Sequence, residues 1–178
     1  MGGAQHELVD FLEKADIPAA RTLLGLSALP SYHPLNVGML GMHGSYAPNV
    51  MTQQADVIIA IGMRFSDRVT GRLDTYAKQA KIIHLDIDNV EIDKNVKTDV
   101  SVVGDCKMSL PAITRLLNKN EHTEWIEGFK PYLQQETEKV IEPAIHPKEG
   151  PLLMGEVVNA VAEATDGEAV LVNDVGQN

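Results

Sequence analysis

The run Ala55-Asp56-Val57-Ile58-Ile59-Ala60-Ile61-Gly62-Met63-Arg64-Phe65-Ser66-Asp67-Arg68-Val69-Thr70-Gly71 constrains the fold more than any other stretch. Its first half is short, apolar and β-branched, the pattern of a strand covered on both faces in a parallel sheet. Gly62 ends the run. Without a Cβ, a glycine lets the chain turn sharply or approach a ligand closely. In open α/β sheets ligands bind outside the carboxyl ends of the strands, so Arg64 and Arg68 stand where an anion would be met. The same two arginines read equally well as solvated side chains, or as partners of Asp67 and Asp74.

Other strand patterns fall around this one. Residues 17–22 read as a short strand with Pro18 at its entry, followed by a glycine-containing turn over 24–27. Lys81-Ile82-Ile83-His84-Leu85-Asp86-Ile87-Asp88 is a clear strand that ends in two carboxylates. Asp86 follows a glycine turn at the spacing of the acidic residue that binds ribose hydroxyls in dinucleotide folds. Asp88 and Asn89 also suit a turn that caps a helix near 90–94. Residues 100–103 form a further short strand, and Asp105 is a good N-cap for a helix over 107–118. Leu110, Ile113, Leu116 and Leu117 lie on the inner face of that helix, and Cys106 reads as a small buried filler.

Helices are expected over 6–14, 49–54, 121–140 and 152–164, with a helical turn over 73–79. The 121–140 helix is strongly charged and is expected to lie outside the core. Pro143, Pro147 and Pro151 punctuate an extended connector, and residues 167–176 read as a strand running into a turn. Residues 30–48 read as a long irregular stretch with glycines at 38, 41 and 44; loops this long inside compact domains are usually functional or disordered. The apolar word Val37-Gly38-Met39-Leu40-Gly41-Met42-His43-Gly44 argues for packing against something flat. His43 reads better as a core histidine than as a ligand contact. An α/β domain normally starts with a strand, and none precedes the first helix, so the first strand is expected to be missing.

Composition narrows the function. The 178 residues carry a formal net charge of −10, which disfavours nucleic acid or an anionic membrane as partner. Cys106 is the single cysteine, so an intrachain disulfide is impossible and a reducing compartment fits. No apolar run approaches a membrane span. The fingerprint G-x-G-x-x-G, a P-loop, a Cys/His metal cluster and a G-x-S-x-G elbow are all missing. The residues alone therefore reach a nucleotide- or dinucleotide-binding α/β domain and no further.

Three words take the reading on: Leu40-Gly41-Met42-His43-Gly44, then Gly62-Met63-Arg64-Phe65-Ser66-Asp67-Arg68-Val69-Thr70-Gly71, then His84-Leu85-Asp86-Ile87-Asp88. In this order they closely resemble the central domain of acetolactate synthase (acetohydroxyacid synthase) large subunits, three-domain thiamine-diphosphate enzymes. The resemblance covers residues 17–118, and residues 172–177 resemble the start of the family's third domain. It implies an α/β, Rossmann-like (DHS-like) open parallel sheet flanked by helices. Domains are expected at 1–120 (central, FAD-binding type), 121–150 (helix and linker) and 151–178 (start of the thiamine-diphosphate-binding domain, truncated).

The resemblance further implies FAD contacts at Thr22, Leu23, Leu40, Gly41, Met42, His43, Gly62, Met63, Arg64, Phe65, Ser66, Asp86, Ile87, Asp105 and Cys106. It places Asp67 and Arg68 at the active-site entrance, where Arg68 would hold a substrate carboxylate. Ser66 departs from the aspartate common in the family, and no role carries over to Gly2 and Gly3. The family's catalytic glutamate and its Gly-Asp-Gly…Asn metal motif are not in this sequence, so the stretch is expected to hold no catalytic residue, no Mg²⁺ and no thiamine diphosphate, and to be inactive alone. The parent implied is a cytoplasmic flavoprotein transferase, homo-oligomeric with a small regulatory subunit, acting on 2-oxo acids in branched-chain amino-acid biosynthesis. The alternatives are a glyoxylate carboligase-like thiamine-diphosphate enzyme, or a non-catalytic nucleotide-binding module.

Overall fold

The computed structural model describes residues 2–172 of the chain. The chain divides into two compact units, residues 1–133 and 134–178. In the first, five strands run β1 (Ala19–Arg21), β2 (Asn36–Met39), β3 (Val57–Ile61), β4 (Lys81–Asp86) and β5 (Val100–Val103). All pairings are parallel, in two groups: β1 with β2, and β3 with β4 with β5. The helices are α1 (Gln5–Ala15), α2 (Tyr46–Thr52), α3 (Asp67–Thr70), α4 (Cys106–Leu116), α5 (Thr123–Glu127) and α6 (Lys130–Glu136), the last running across the boundary between units. This is the parallel α/β architecture expected from the apolar runs.

The pleat of β4 explains how the sheet is covered on both faces. Successive side chains point to opposite sides. Leu85 joins Phe11 and Leu12 of α1, Leu29, Leu35 and Leu110 of α4 in one cluster, with Ile83 packed against it. Ile82 turns the other way, into a second cluster with Ala60, Phe65, Tyr76 and Ala77. Each fully buried leucine contributes on the order of 1.5–3 kcal/mol, so the two clusters fix the register of β4 between its neighbours.

The structure departs from the sequence reading in several places. The stretch 30–48 is not irregular throughout: β2 forms inside it, because Ala19 N–H donates to Leu35 O (2.7 Å) and Leu40 N–H to Arg21 O (2.8 Å). The turn after β1 is a 3₁₀ helix, Leu23–Ala28. Its end is held by the Arg21 guanidinium, which donates to the carbonyls of Leu26 (2.6 Å) and Leu29 (3.1 Å). Residues 73–79 form turns, and the helix expected at 90–94 is a single 3₁₀ turn, Asn89–Glu91, capped by Asp88.

The charged helix expected over 121–140 is broken. It splits at Gly128 into α5 and α6, and part of it lies in the core. Phe129, 5% exposed, packs with Val37, Ala47 and Met51, with Trp125 and Tyr132 alongside. These three aromatics recur at i, i+4 and i+7, the stripe of a helix with one buried face, and that stripe outweighs the charge around it.

In the second unit a π-helical turn, Thr137–Ile141, leads into α7 (Glu142–Ile145), and α8 (Met154–Ala164) follows. Pro143 lies inside α7 and not in a connector. A proline lacks the N–H that would close the ladder, and wider turns of this kind accommodate such a break. Leu153 N–H donates to Glu156 at the start of α8 (2.8 Å). Residues 167–172 form no strand; the rest of the expected strand and turn, 173–176, lies outside the described residues, as does most of the resemblance at 172–177.

Candidate functional site

Ligand-facing residues in such a sheet gather at the carboxyl ends of the strands, and here the loops there are joined to one another. The loop after β2 docks on the loop after β3: Met42 N–H donates to Arg68 O (2.9 Å), and Gly41 sits so close that a Cβ would lie 2.5 Å from that oxygen. Gly41 has φ +106°, a conformation L residues rarely adopt. Asn49 clamps the same peptide from α2, accepting from Gly41 N–H (3.0 Å) and donating to Gly41 O (3.0 Å). This contact also shows that both groups of strands present their carboxyl ends on the same side.

The corner at Gly62 is open. Its φ is +60°, and nothing lies within 4 Å of where a Cβ would stand. Its N–H completes the ladder to Leu85 O (2.8 Å). Beyond it Arg64 is exposed, and Asn95 holds its carbonyl at 3.0 Å. Asp74 is taken by Arg72, and among the described residues the ion pairs leave Arg64 and Arg68 uninvolved. The Arg72 guanidinium holds the Asp74 carboxyl below the usual carboxylate range. Arg68 reaches instead to Met42 Sδ, at 3.7 Å.

Phe65, between the two arginines, is 2% exposed and has φ +49°. Its ring meets His84 at 5.2 Å and Tyr76 at 6.4 Å, edge to face. The side chain belongs to the core, so only its backbone faces the loop. Ser66 caps no helix through its side chain, although it precedes α3. Asp67 is exposed. His43 is exposed too, and is not the core histidine that its apolar neighbours suggested.

The third part of the edge is acidic. Asp86 is 7% exposed; its Oδ1 accepts from Asp88 N–H (2.9 Å), and its Oδ2 stands 3.8 Å from the buried Nε2 of His84. Gly104 N–H donates to Asp86 O, extending the ladder (2.9 Å). Asp105 caps α4 by accepting from Lys107 N–H (2.9 Å). Burial, with Asp105 and Asp86 close by, pushes the Cys106 thiol up, so it stays protonated at neutral pH. Cys106 is half-buried. Ile87 is 71% exposed and Leu23 65% exposed, apolar surface at the same edge. Among the described residues no group of three or more His, Cys, Asp or Glu is arranged to hold a metal ion.

Three further features shape this edge, and the sequence reading assigned none of them a role. Gly2 lies at this edge, with a built Cβ 3.5 Å from Asp105 Oδ1, and Gly3 follows at φ +63° just ahead of α1. Asn49 and Asn95 hold loop peptides in place. The Gly-Gly pair before a helix was a visible signal; the two asparagines had none.

Open glycine corners, joined loops and an exposed Arg64 thus stand at the carboxyl edge of a parallel α/β domain. The family described as "Thiamine pyrophosphate enzyme, central domain" matches residues 1–113, and the chain belongs to it. Curated relatives cover nearly all of it. A "Probable acetolactate synthase large subunit" of Methanococcus aeolicus is 35% identical and aligns with 100% of this chain and 32% of its own length. An "Acetolactate synthase large subunit" of Lactococcus lactis is 40% identical across 94% of this chain and 28% of its own length. An "Acetolactate synthase, chloroplastic" of Arabidopsis thaliana is 38% identical across 98% of this chain and 26% of its own. The chain thus spans between a quarter and a third of the length of these relatives. No described helix is long and apolar enough to cross a membrane.

Proposed function

We propose that this chain is the FAD-binding central region of an acetolactate synthase large subunit. The observation that carries the reading is the match of relatives so named along essentially the whole chain. The residues at the carboxyl edge fit such a dinucleotide. Gly62, open where a Cβ would stand, lets phosphates approach the backbone, and the uncommitted Arg64 gives them a charge-assisted partner. Thr22, Leu23, Leu40, Gly41, Met42, His43, Met63 and Ser66 would line the cleft beside them. Phe65 would contribute through its backbone, and Asp86, Ile87, Asp105 and Cys106 would meet the acidic side of the edge. FAD would serve a structural role, since the carboligation involves no net redox change.

The parent would condense two pyruvates to 2-acetolactate, or pyruvate with 2-oxobutyrate, with release of CO₂, in branched-chain amino-acid biosynthesis. Its carbon–carbon chemistry would belong to thiamine diphosphate and Mg²⁺ held by residues beyond this stretch. Asp67 and Arg68, both exposed, would stand at the entrance to that active site. The parent would be cytoplasmic, homo-oligomeric and paired with a small regulatory subunit. Residues 1–120 would be the central domain, 121–150 a helix and linker, and 151–178 the start of the next domain.

Flavin titration tests this reading. Each good contact that a bound dinucleotide lacks costs on the order of 1–3 kcal/mol, and each 1.4 kcal/mol is tenfold. The 178-residue chain is therefore expected to purify colourless and to take up added FAD with a dissociation constant weaker than about 10 μM. Arg64→Ala is expected to weaken that binding about tenfold. A yellow protein as purified would overturn the estimate of affinity. Fluorescence quenching that fails to saturate with millimolar FAD, or that Arg64→Ala leaves unchanged, would overturn the site.

A further inference from the structure

One buried polar group has no task in the site as described. His84 is 0% exposed, and among the described residues neither Nδ1 nor Nε2 has a hydrogen-bond partner. Buried polar groups are nearly always paired, and an unpaired one costs stability. Leucine would fill the same space in β4 without that cost. Packing alone therefore does not account for an imidazole here.

Its place in the sheet does. Side chains alternate along a strand, so Ile82, His84 and Asp86 share one face of β4. That face carries the cluster of Phe65 and Tyr76. The Phe65 ring meets the imidazole edge to face, with the rings 5.2 Å apart at 87°, and Phe65 directly follows Arg64 in the loop after β3. On the other side, Nε2 stands 3.8 Å from Asp86 Oδ2. Asp86 Oδ1 is already occupied by Asp88 N–H at 2.9 Å, which leaves Oδ2 toward His84. Asp93, in the turn after β4, is a second carboxylate whose charge is felt at His84. Thr98 holds it through its N–H (2.7 Å) and its hydroxyl (2.8 Å). One ring thus lies between the loop of Arg64 and the carboxylate of Asp86.

Asp86 keeps a little contact with water, its side chain being 10% exposed. A ligand on this edge would remove that water, and a dehydrated carboxylate needs donors from the protein. Asp88 N–H supplies one. The imidazole supplies the other once the 3.8 Å gap closes by about 1 Å.

We propose that His84 is a positioning residue for dinucleotide binding. Its Nε2–H holds the Asp86 carboxylate when the ligand covers it, and its ring seats Phe65 and with it the loop of Arg64. This role rests on the FAD reading of the edge given above.

FAD titration of variants of the 178-residue chain tests it. His84→Leu keeps a side chain against Phe65 and removes the donor. It is expected to leave the urea midpoint at or above that of the parent chain, and to weaken FAD binding at least about tenfold. His84→Gln, whose amide again offers an N–H, is expected to bind within about threefold of the parent. In an Asp86→Asn background His84→Leu is expected to cost no further affinity, because the charge it serves is gone. Imidazole nitrogen NMR adds a readout without FAD: the proton is expected on Nε2, with a shift that changes in Asp86→Asn. His84→Leu that binds FAD like the parent, or whose loss is undiminished beside Asp86→Asn, would overturn the role and leave the FAD site standing, since Arg64→Ala reports on that separately. Should His84→Leu fail to fold, His84→Gln carries the comparison, and a tenfold loss there would overturn the role. A parent chain that never saturates would overturn the FAD reading instead. The NMR readout then decides on His84: a proton on Nδ1, or a resonance indifferent to Asp86→Asn, would overturn its pairing with Asp86.

Discussion

Replacing Gly41 by alanine tests the joint between the two loops at the carboxyl edge. The substitution has two costs. A backbone at φ +106° strains any residue with a Cβ, by about 1–3 kcal/mol. The added methyl would also stand 2.5 Å from Arg68 O and 3.3 Å from Val69 Cα, so the loops must separate. That opens the Met42 N–H to Arg68 O bond, worth about 0.5–1.5 kcal/mol net. The sum is a loss of about 2–4 kcal/mol. Gly71→Ala is the control for strain without a close approach: its backbone, at φ +58° and ψ −125°, disfavours a Cβ equally, but nothing lies within 4 Å of its Cβ position, so only the strain of about 1–3 kcal/mol remains. Urea unfolding followed through Trp125, the single tryptophan, reports on the first unit, where its ring meets Phe129 at 6.0 Å. Gly41→Ala is expected to lower the unfolding free energy clearly more than Gly71→Ala does. Equal losses from the two variants would refute the reasoning, because the close approach would then carry no cost.

Two further substitutions probe the core. Burial pushes the Tyr76 phenol up to about 12, and its hydroxyl has no hydrogen-bond partner. Its contribution is whole below the ordinary tyrosine value near 10; above that the unfolded chain ionises first, so stability falls as pH rises toward 12, by about 2–3 kcal/mol. Tyr76→Phe is expected to remove that share of the alkaline loss, seen as a smaller drop in urea midpoint between pH 9 and 12 than in the parent chain. Phe129→Ala is expected to cost about 3–5 kcal/mol, measured by far-ultraviolet circular dichroism on denaturation; a loss near zero would place that segment outside the core.

The strands expected at 57–61, 81–86 and 100–103 rest on β-branched residues and are present, and β1 (Ala19–Arg21) falls inside the strand expected at 17–22. Residues 57–61 and 81–86 can be buried on both faces, and the parallel ladder between them follows in register from Val57 opposite Lys81. β2 escaped because Asn36-Val37-Gly38-Met39 carries a single β-branched residue and a glycine; its strand state comes from pairing with β1, which is tertiary and leaves no local mark. The aromatic stripe at Trp125, Phe129 and Tyr132 is legible by its spacing, within a strongly charged segment. Charge sets only the outer face of a helix, and it says nothing against burial of the opposite face.

For the candidate site the balance is different. Gly62 forms an open corner and Arg64 is exposed beside it, as the loop placement at the strand end led one to expect. Phe65 shows the limit of reading a motif residue by residue. Lying between Arg64 and Ser66, it looked like part of the ligand loop, yet its ring fills the core against His84 and Tyr76. That packing pins the loop to β4 at the point where the backbone turns left-handed, φ +49°. The strain of that turn is offset by burial of the ring, and it leaves Arg64 facing outward. A glycine at 65 would relieve the strain and lose the anchor. Burial of the ring against His84 and Tyr76 thus accounts for a large side chain at a backbone position that disfavours one.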